Sequence, residues 1–97
     1  MSLSNSPQAL TDLLGAVIKD LGIQRKLDEV RTIEMWATLA GPQINGVTQS
    51  AWVRGDKLYV KITSAAWRQE LHLSRGAWRE RLNEQLGDEL VREIVFR

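Results

Sequence analysis

The hydrophobic pattern changes period twice along the chain. Leu10, Leu13, Leu14, Val17, Ile18 and Leu21 recur at helical spacing after Pro7, and Gly22 closes that run. A second helix is predicted from Lys26 to Ala40. Leu27, Val30, Ile33 and Ala37 form one line there, and Met35, Trp36 and Leu39 widen the apolar sector. So broad a sector implies burial on more than one side. Gly41-Pro42 stops the helix, and the stretch from Gly41 to Gly46 reads as a connector. The pattern then switches to alternation. Val47–Arg54 and Lys57–Thr63 flank Gly55-Asp56, which predicts a hairpin with a two-residue turn of type II′ or I′. In that register Arg54 faces Lys57, Val53 faces Leu58, Trp52 faces Tyr59 and Ala51 faces Val60. Ala51, Val53, Leu58, Val60 and Ile62 then share the core face. Ser50, Trp52, Arg54, Lys57, Tyr59 and Lys61 share the other.

Helical spacing returns from Ser64 to Leu86, which predicts one long amphipathic helix. Trp67, Leu71, Trp78, Leu82 and Leu86 line one side, Ser64 stands at the N-cap and Gly87 just past the end. Arg68, His72, Arg75 and Arg79 follow at steps of four, three and four, forming a basic edge beside the apolar seam. Glu80 and Glu84 fall on the far side. Alternation over Leu90–Arg97 predicts a third strand. The element order is α-α-β-β-α-β, a small three-stranded sheet with its helices packed on one face: an α+β domain. Residues 1–6 are small and polar and read as a disordered tail, and residues 7–97 as a single domain.

Composition changes the picture mainly by exclusion. The chain of 97 residues has 13 lysines and arginines against 12 acids, so bulk charge does not mark a nucleic-acid binder. The charge is uneven, however. Between Ala51 and Arg81 the bases Arg54, Lys57, Lys61, Arg68, Arg75, Arg79 and Arg81 face only Asp56, Glu70 and Glu80. The absence of cysteine rules out disulfides, thiolate metal sites and a cysteine nucleophile, and fits a reducing cytoplasm. No secretory signal and no membrane-spanning run is apparent. A single His72 without a partner leaves no zinc site and no nucleophile–base pair, and it reads as part of a polar helix face. Gly41 and Gly46 are not followed by Lys-Ser/Thr, so they form no phosphate-binding loop. No catalytic residue, cofactor or metal is therefore expected.

The tryptophans divide. Trp36, Trp67 and Trp78 occupy apolar helical positions and are expected in the core. Trp52 points outward beside Tyr59, among Arg54, Lys57 and Lys61. Aromatics on an open sheet framed by cations form a platform for single-stranded bases, and equally an anchor for a protein partner. The alternative is that Trp52 covers the sheet or packs under the N-terminal helix.

Several of these residues also carry a family resemblance. They are Trp36 with Gly41, the strand pair through Gly55, Leu58 and Val60, the run Ser64-Ala65-Ala66-Trp67-Arg68-Gln69-Glu70-Leu71, Leu82-Asn83, Leu86-Gly87 and the closing Ile94-Val95-Phe96-Arg97. From about Leu10 to Arg97 the sequence resembles the DciA family, most specifically over Ser64–Leu71. The resemblance implies a KH-like domain in a bacterial protein that binds the replicative helicase DnaB, helps it onto DNA and contacts nucleic acid. Partners implied are thus DnaB and DNA, single-stranded or forked, with RNA a further class. The sequence lacks the GXXG loop with which KH domains clamp a nucleic-acid backbone. Many family members also carry a flexible segment after the last strand, where this sequence closes at Arg97. The candidate contact residues are Trp52, Arg54, Lys57, Tyr59 and Lys61 on the sheet, with Arg68, His72, Arg75 and Arg79 on the helix. The second function class is a nucleic-acid binder that acts without a helicase, and a small enzyme is the least supported.

Overall fold

A computed structural model describes residues 22–97 of the chain. The tail at residues 1–6 and the first predicted helix lie outside the described residues.

Helix α1 spans Ile23–Gly46, entered through Gly22 at φ 71°. It begins ahead of the predicted Lys26 start. The predicted stop is present in the backbone: Gly41 leaves helical geometry at φ 81° and ψ 176°. The connector is not irregular, however. Pro42 opens one further helical turn, where its missing N–H costs nothing. Asn45 ties that turn back across the break, its Nδ2 donating to the Ala37 carbonyl at 2.8 Å.

Strands β1 (Thr48–Arg54) and β2 (Lys57–Ile62) form the predicted hairpin. The register is as predicted, with Arg54 opposite Lys57, Val53 opposite Leu58, Trp52 opposite Tyr59 and Ala51 opposite Val60. Gly55 sits at φ 60°, and no residue other than glycine has positive φ among the described residues. Asp56 therefore cannot complete a type I′ turn, which leaves type II′. A register shift between Thr48 and Ser50 bends the far end of β1.

The predicted single helix from Ser64 to Leu86 is two helices, α2 (Ala65–Leu73) and α3 (Arg75–Leu86). The Ser64 Oγ accepts from the Trp67 amide at 3.3 Å, as an N-cap should. At Ser74 the backbone moves to φ −101° and ψ 13°. Its hydroxyl donates to the Glu70 carbonyl at 3.0 Å and also lies 3.4 Å from the Leu71 carbonyl. A serine bonding back onto the preceding turn competes with the helix and bends it, and Gly76 adds little resistance. At the far end Gly87, at φ 76°, terminates α3.

Strand β3 covers Glu93–Phe96, shorter than the predicted Leu90–Arg97. Val91 lies outside the strand because a side chain holds it instead. Asn83 Nδ2 donates to the Val91 carbonyl at 2.7 Å, and the Val91 amide donates to Asn83 Oδ1 at 3.0 Å. The strand order is β1-β2-β3, with β2 antiparallel to β1 and parallel to β3. A parallel neighbour requires a crossover, which α2 and α3 supply.

The core lies on one face of this mixed sheet. Leu58, Val60, Ile62, Ile94 and Phe96 point into it from the strands. Trp36 and Ile44 meet them from α1, and Leu71, Leu82 and Leu86 from α2 and α3. Trp36 is 1% exposed, 5.1 Å from Trp78 edge-on and 5.6 Å from Phe96. Trp67 and Trp78 differ from expectation. Both are only half-buried against the core, and Arg81 covers one side of Trp78 at 4.8 Å. The Arg31 guanidinium docks α1 on α3 by donating to the Leu86 carbonyl at 3.0 Å.

Trp36→Ala should cost about 3–5 kcal/mol in chemical denaturation, and Trp67→Ala clearly less, because only the first leaves an enclosed void. Equal losses would contradict the packing. Asn83→Ala strands the Val91 N–H and C=O together and should cost about 1–3 kcal/mol by the same measurement.

Candidate binding face of the sheet

The strand register brings three rows of side chains to the face opposite the core. Trp52, Tyr59 and Val95 form the middle row. Arg54, Lys57 and Glu93 form the row beside the hairpin turn. Lys61, paired with Ser50, lies towards the other end of β2, where the chain reaches Arg97. The described helices pack on the core face, so these rows lie on the other side of the sheet from them.

The middle row is preorganised. The Trp52 and Tyr59 rings stack with centroids 5.5 Å apart and planes 3° from parallel. The Arg97 guanidinium lies 5.0 Å from the Tyr59 centroid. Both rings are half-buried, so they are supported but not enclosed. Trp52 is therefore neither drawn into the core nor left as a loose exposed ring. Stacked cross-strand aromatics and a cation over a ring are each worth about 0.5–1.5 kcal/mol, which holds the platform in one shape.

Its electrostatics are positive but uneven. Lys57 Nζ lies 3.4 Å from Glu93 and is partly neutralised. Arg54, Lys61 and Arg97 have no ion-pair partner among the described residues. A flat apolar ring can add to the aromatic pair while an anionic group meets these cations. Arg97 is the functional candidate that sequence analysis missed. Alternation along the last strand puts it in phase with Glu93 and Val95, but only the parallel pairing carries it over Tyr59.

The basic helix edge does not survive as one surface, because the bend at Ser74 divides it. Arg68 is half-buried and turned inward. Its Nη2 donates to the Ile62 carbonyl at 3.0 Å, and its Nε is buried without a hydrogen-bond partner among the described residues. Arg68 thus anchors the end of β2. Arg75 folds back on His72, its Nη1 2.8 Å from the His72 carbonyl and 3.3 Å from its Nε2. Arg79 lies 3.9 Å from Glu80 and lines a hollow with Arg92 beside the start of β3. The sheet brings Trp52, Arg54, Lys57, Tyr59 and Lys61 together, and Arg68, His72, Arg75 and Arg79 lie apart from them.

Among the described residues no three His, Asp or Glu side chains gather as metal ligands. No described helix is long and apolar enough to cross a membrane.

A family model described as "Dna[CI] antecedent, DciA" matches residues 9–96, nearly the whole chain. No curated protein matches it.

Because Trp52 packs on one neighbour and not in the core, Trp52→Ala should lower stability by about 1 kcal/mol. Chemical denaturation beside Trp36→Ala checks this, and a loss as large as that of Trp36 would place Trp52 in the structural core.

Proposed function

The chain belongs to the DciA family, and from that premise we propose that it is a non-enzymatic binding module that recruits or loads the replicative helicase DnaB while holding DNA on the open face of its sheet. The family carries the helicase-loader role in replication. The DNA contact rests on one observation of this chain: the Trp52–Tyr59 stack, capped by Arg97 and framed by Arg54, Lys57 and Lys61 on a face that the described helices leave open.

The physical account follows from that platform. A base has a π-face whatever its identity, so stacking on Trp52 contributes about 1–3 kcal/mol per base without selecting sequence. Arg54, Lys61 and Arg97 then meet the phosphates on either side. Single strands suit this face because their bases are free to splay out, whereas a duplex buries them. The α+β architecture, with three strands and helices on one side, supports a KH-like reading of the fold. The bend at Leu73–Gly76 carries no GXXG, so the aromatic face rather than a backbone clamp is the proposed contact.

The cations also favour a second reading, a single-stranded DNA or RNA binder that acts without a helicase. The two readings differ in what the protein retains from a mixture. In the first, a pull-down with the full chain retains DnaB with and without DNA. In the second it retains oligonucleotide alone.

Trp52→Ala should weaken binding to oligo-dT by about tenfold and leave DnaB retention intact. Wild-type binding should weaken steeply with salt, because each phosphate contact releases counterions. A wild-type chain that never retains DnaB removes the loader reading, and a flat salt response removes the DNA contact.

A further inference from the structure

The sheet has a second feature, separate from the aromatic platform. Strand β3 is an edge strand. Arg97 donates its amide to Val60 and accepts from the Ile62 amide, so Arg97 and, by alternation, Val95 turn their backbone groups to β2, while ahead of the strand the Arg92 amide donates to the Asp56 carbonyl. By the same alternation Ile94 and Phe96 turn their N–H and C=O groups outward. None of these groups has a hydrogen-bond partner among the described residues outside the sheet ladder. An unpaired strand edge is a template for another strand.

A groove runs along that edge. Its first part, a hollow of about 410 Å³, is lined by Leu73, Arg75, Gly76, Arg79, Arg92, Ile94 and Glu93, the last paired with Lys57. The bend at Ser74 lifts Leu73 out of the core, leaving it 70% exposed, the most exposed large apolar side chain described. Arg79 and Arg92 also border a second hollow of about 800 Å³, whose other charged lining is Glu80, Glu84, Asp88 and Glu89. The groove therefore carries mostly cations at its Arg75 end and mostly carboxylates at its Glu84–Glu89 end, with Arg79 and Arg92, paired to Glu80 and Asp56, between them.

We propose that this groove is a docking site for an extended segment of a protein partner, which adds to β3 as a fourth strand. The segment has acidic residues at its Arg75–Arg79 end, basic residues at its Glu84–Glu89 end and an apolar side chain against Leu73. Three observations favour a polypeptide over nucleic acid. Only a peptide backbone matches the outward N–H and C=O groups of Ile94 and Phe96. A phosphate chain that followed the groove would be repelled by four carboxylates. The apolar Leu73 gives a sugar–phosphate backbone nothing to pair with. The groove lies along the edge of the sheet and the aromatic platform on its face, so this site and the DNA contact fail separately.

The test uses the full chain, labelled for amide NMR and hydrogen exchange. The first probe is a short acetylated peptide alternating valine with glutamate in one half and with lysine in the other. The second is oligo-dT. The expected result is that the peptide shifts the amides of Leu73, Ile94 and Phe96 and slows exchange at Ile94 and Phe96. Leu73→Asp, or Arg75→Glu with Arg79→Glu, should weaken peptide binding by about tenfold. These side chains lie outside the core, so an unchanged amide spectrum elsewhere shows that the fold is intact. No shift at Ile94 and Phe96 with peptide at about millimolar concentration overturns the proposal. So does oligo-dT perturbing the groove more than the peptide does, which would make it a nucleic-acid surface. Shifts confined to Trp52 and Tyr59 overturn it as well, because the peptide would then be using the platform.

Discussion

The structure depends on the packing of one indole. Trp36 is the point at which α1, α3 and β3 meet, since its ring touches Trp78 on one side and Phe96 on another. A ring of that size, fully enclosed, contributes about 2–3 kcal/mol through burial alone. Its larger effect is geometric. By drawing α1 and α3 against the same face of the sheet, it leaves the opposite face without a helical cover among the described elements. The open face is thus a consequence of how the core closes.

The parallel pairing of β2 with β3 is the second constraint. It obliges the chain to cross over the core, and here two helices meeting at a bend make that crossover. Ser74 provides the bend, and its hydroxyl adds a second bond to the Glu70 carbonyl that its own backbone N–H already reaches. The bend redistributes the cationic edge. Arg68 goes to the end of β2, Arg75 folds over His72, and Arg79 pairs with Glu80 beside a groove. Charges that a straight helix would have presented together therefore do three different jobs.

The outcome is a small domain with two unlike surfaces on one sheet. Its face offers flat aromatic area and cations, which suits bases. Its edge offers unpaired backbone groups and a charge gradient, which suits a peptide. In the proposed reading the face takes nucleic acid and the edge a peptide, so neither ligand displaces the other. Asn83 holds both backbone groups of Val91 ahead of β3, in place of ladder bonds.

Local information in the sequence determined the hairpin, because alternation and the Gly55-Asp56 pair act over neighbouring residues and leave one register with Leu58, Val60 and Ile62 inside. The same holds for the N-cap at Ser64, the stops at Gly41 and Gly87 and the outward direction of Trp52. Helical periodicity alone could not reveal the break at Ser74, because a bent helix keeps the same apolar spacing on both sides of the bend. Nor could it rank Trp36 above Trp67 and Trp78, since all three have the same local pattern and only the number of elements closing around each ring differs. Arg97 over Tyr59 and the groove beside β3 were decided by tertiary structure. Each joins residues through the parallel β2–β3 pairing or the crossover, and pairing between distant segments leaves no periodic trace in the chain.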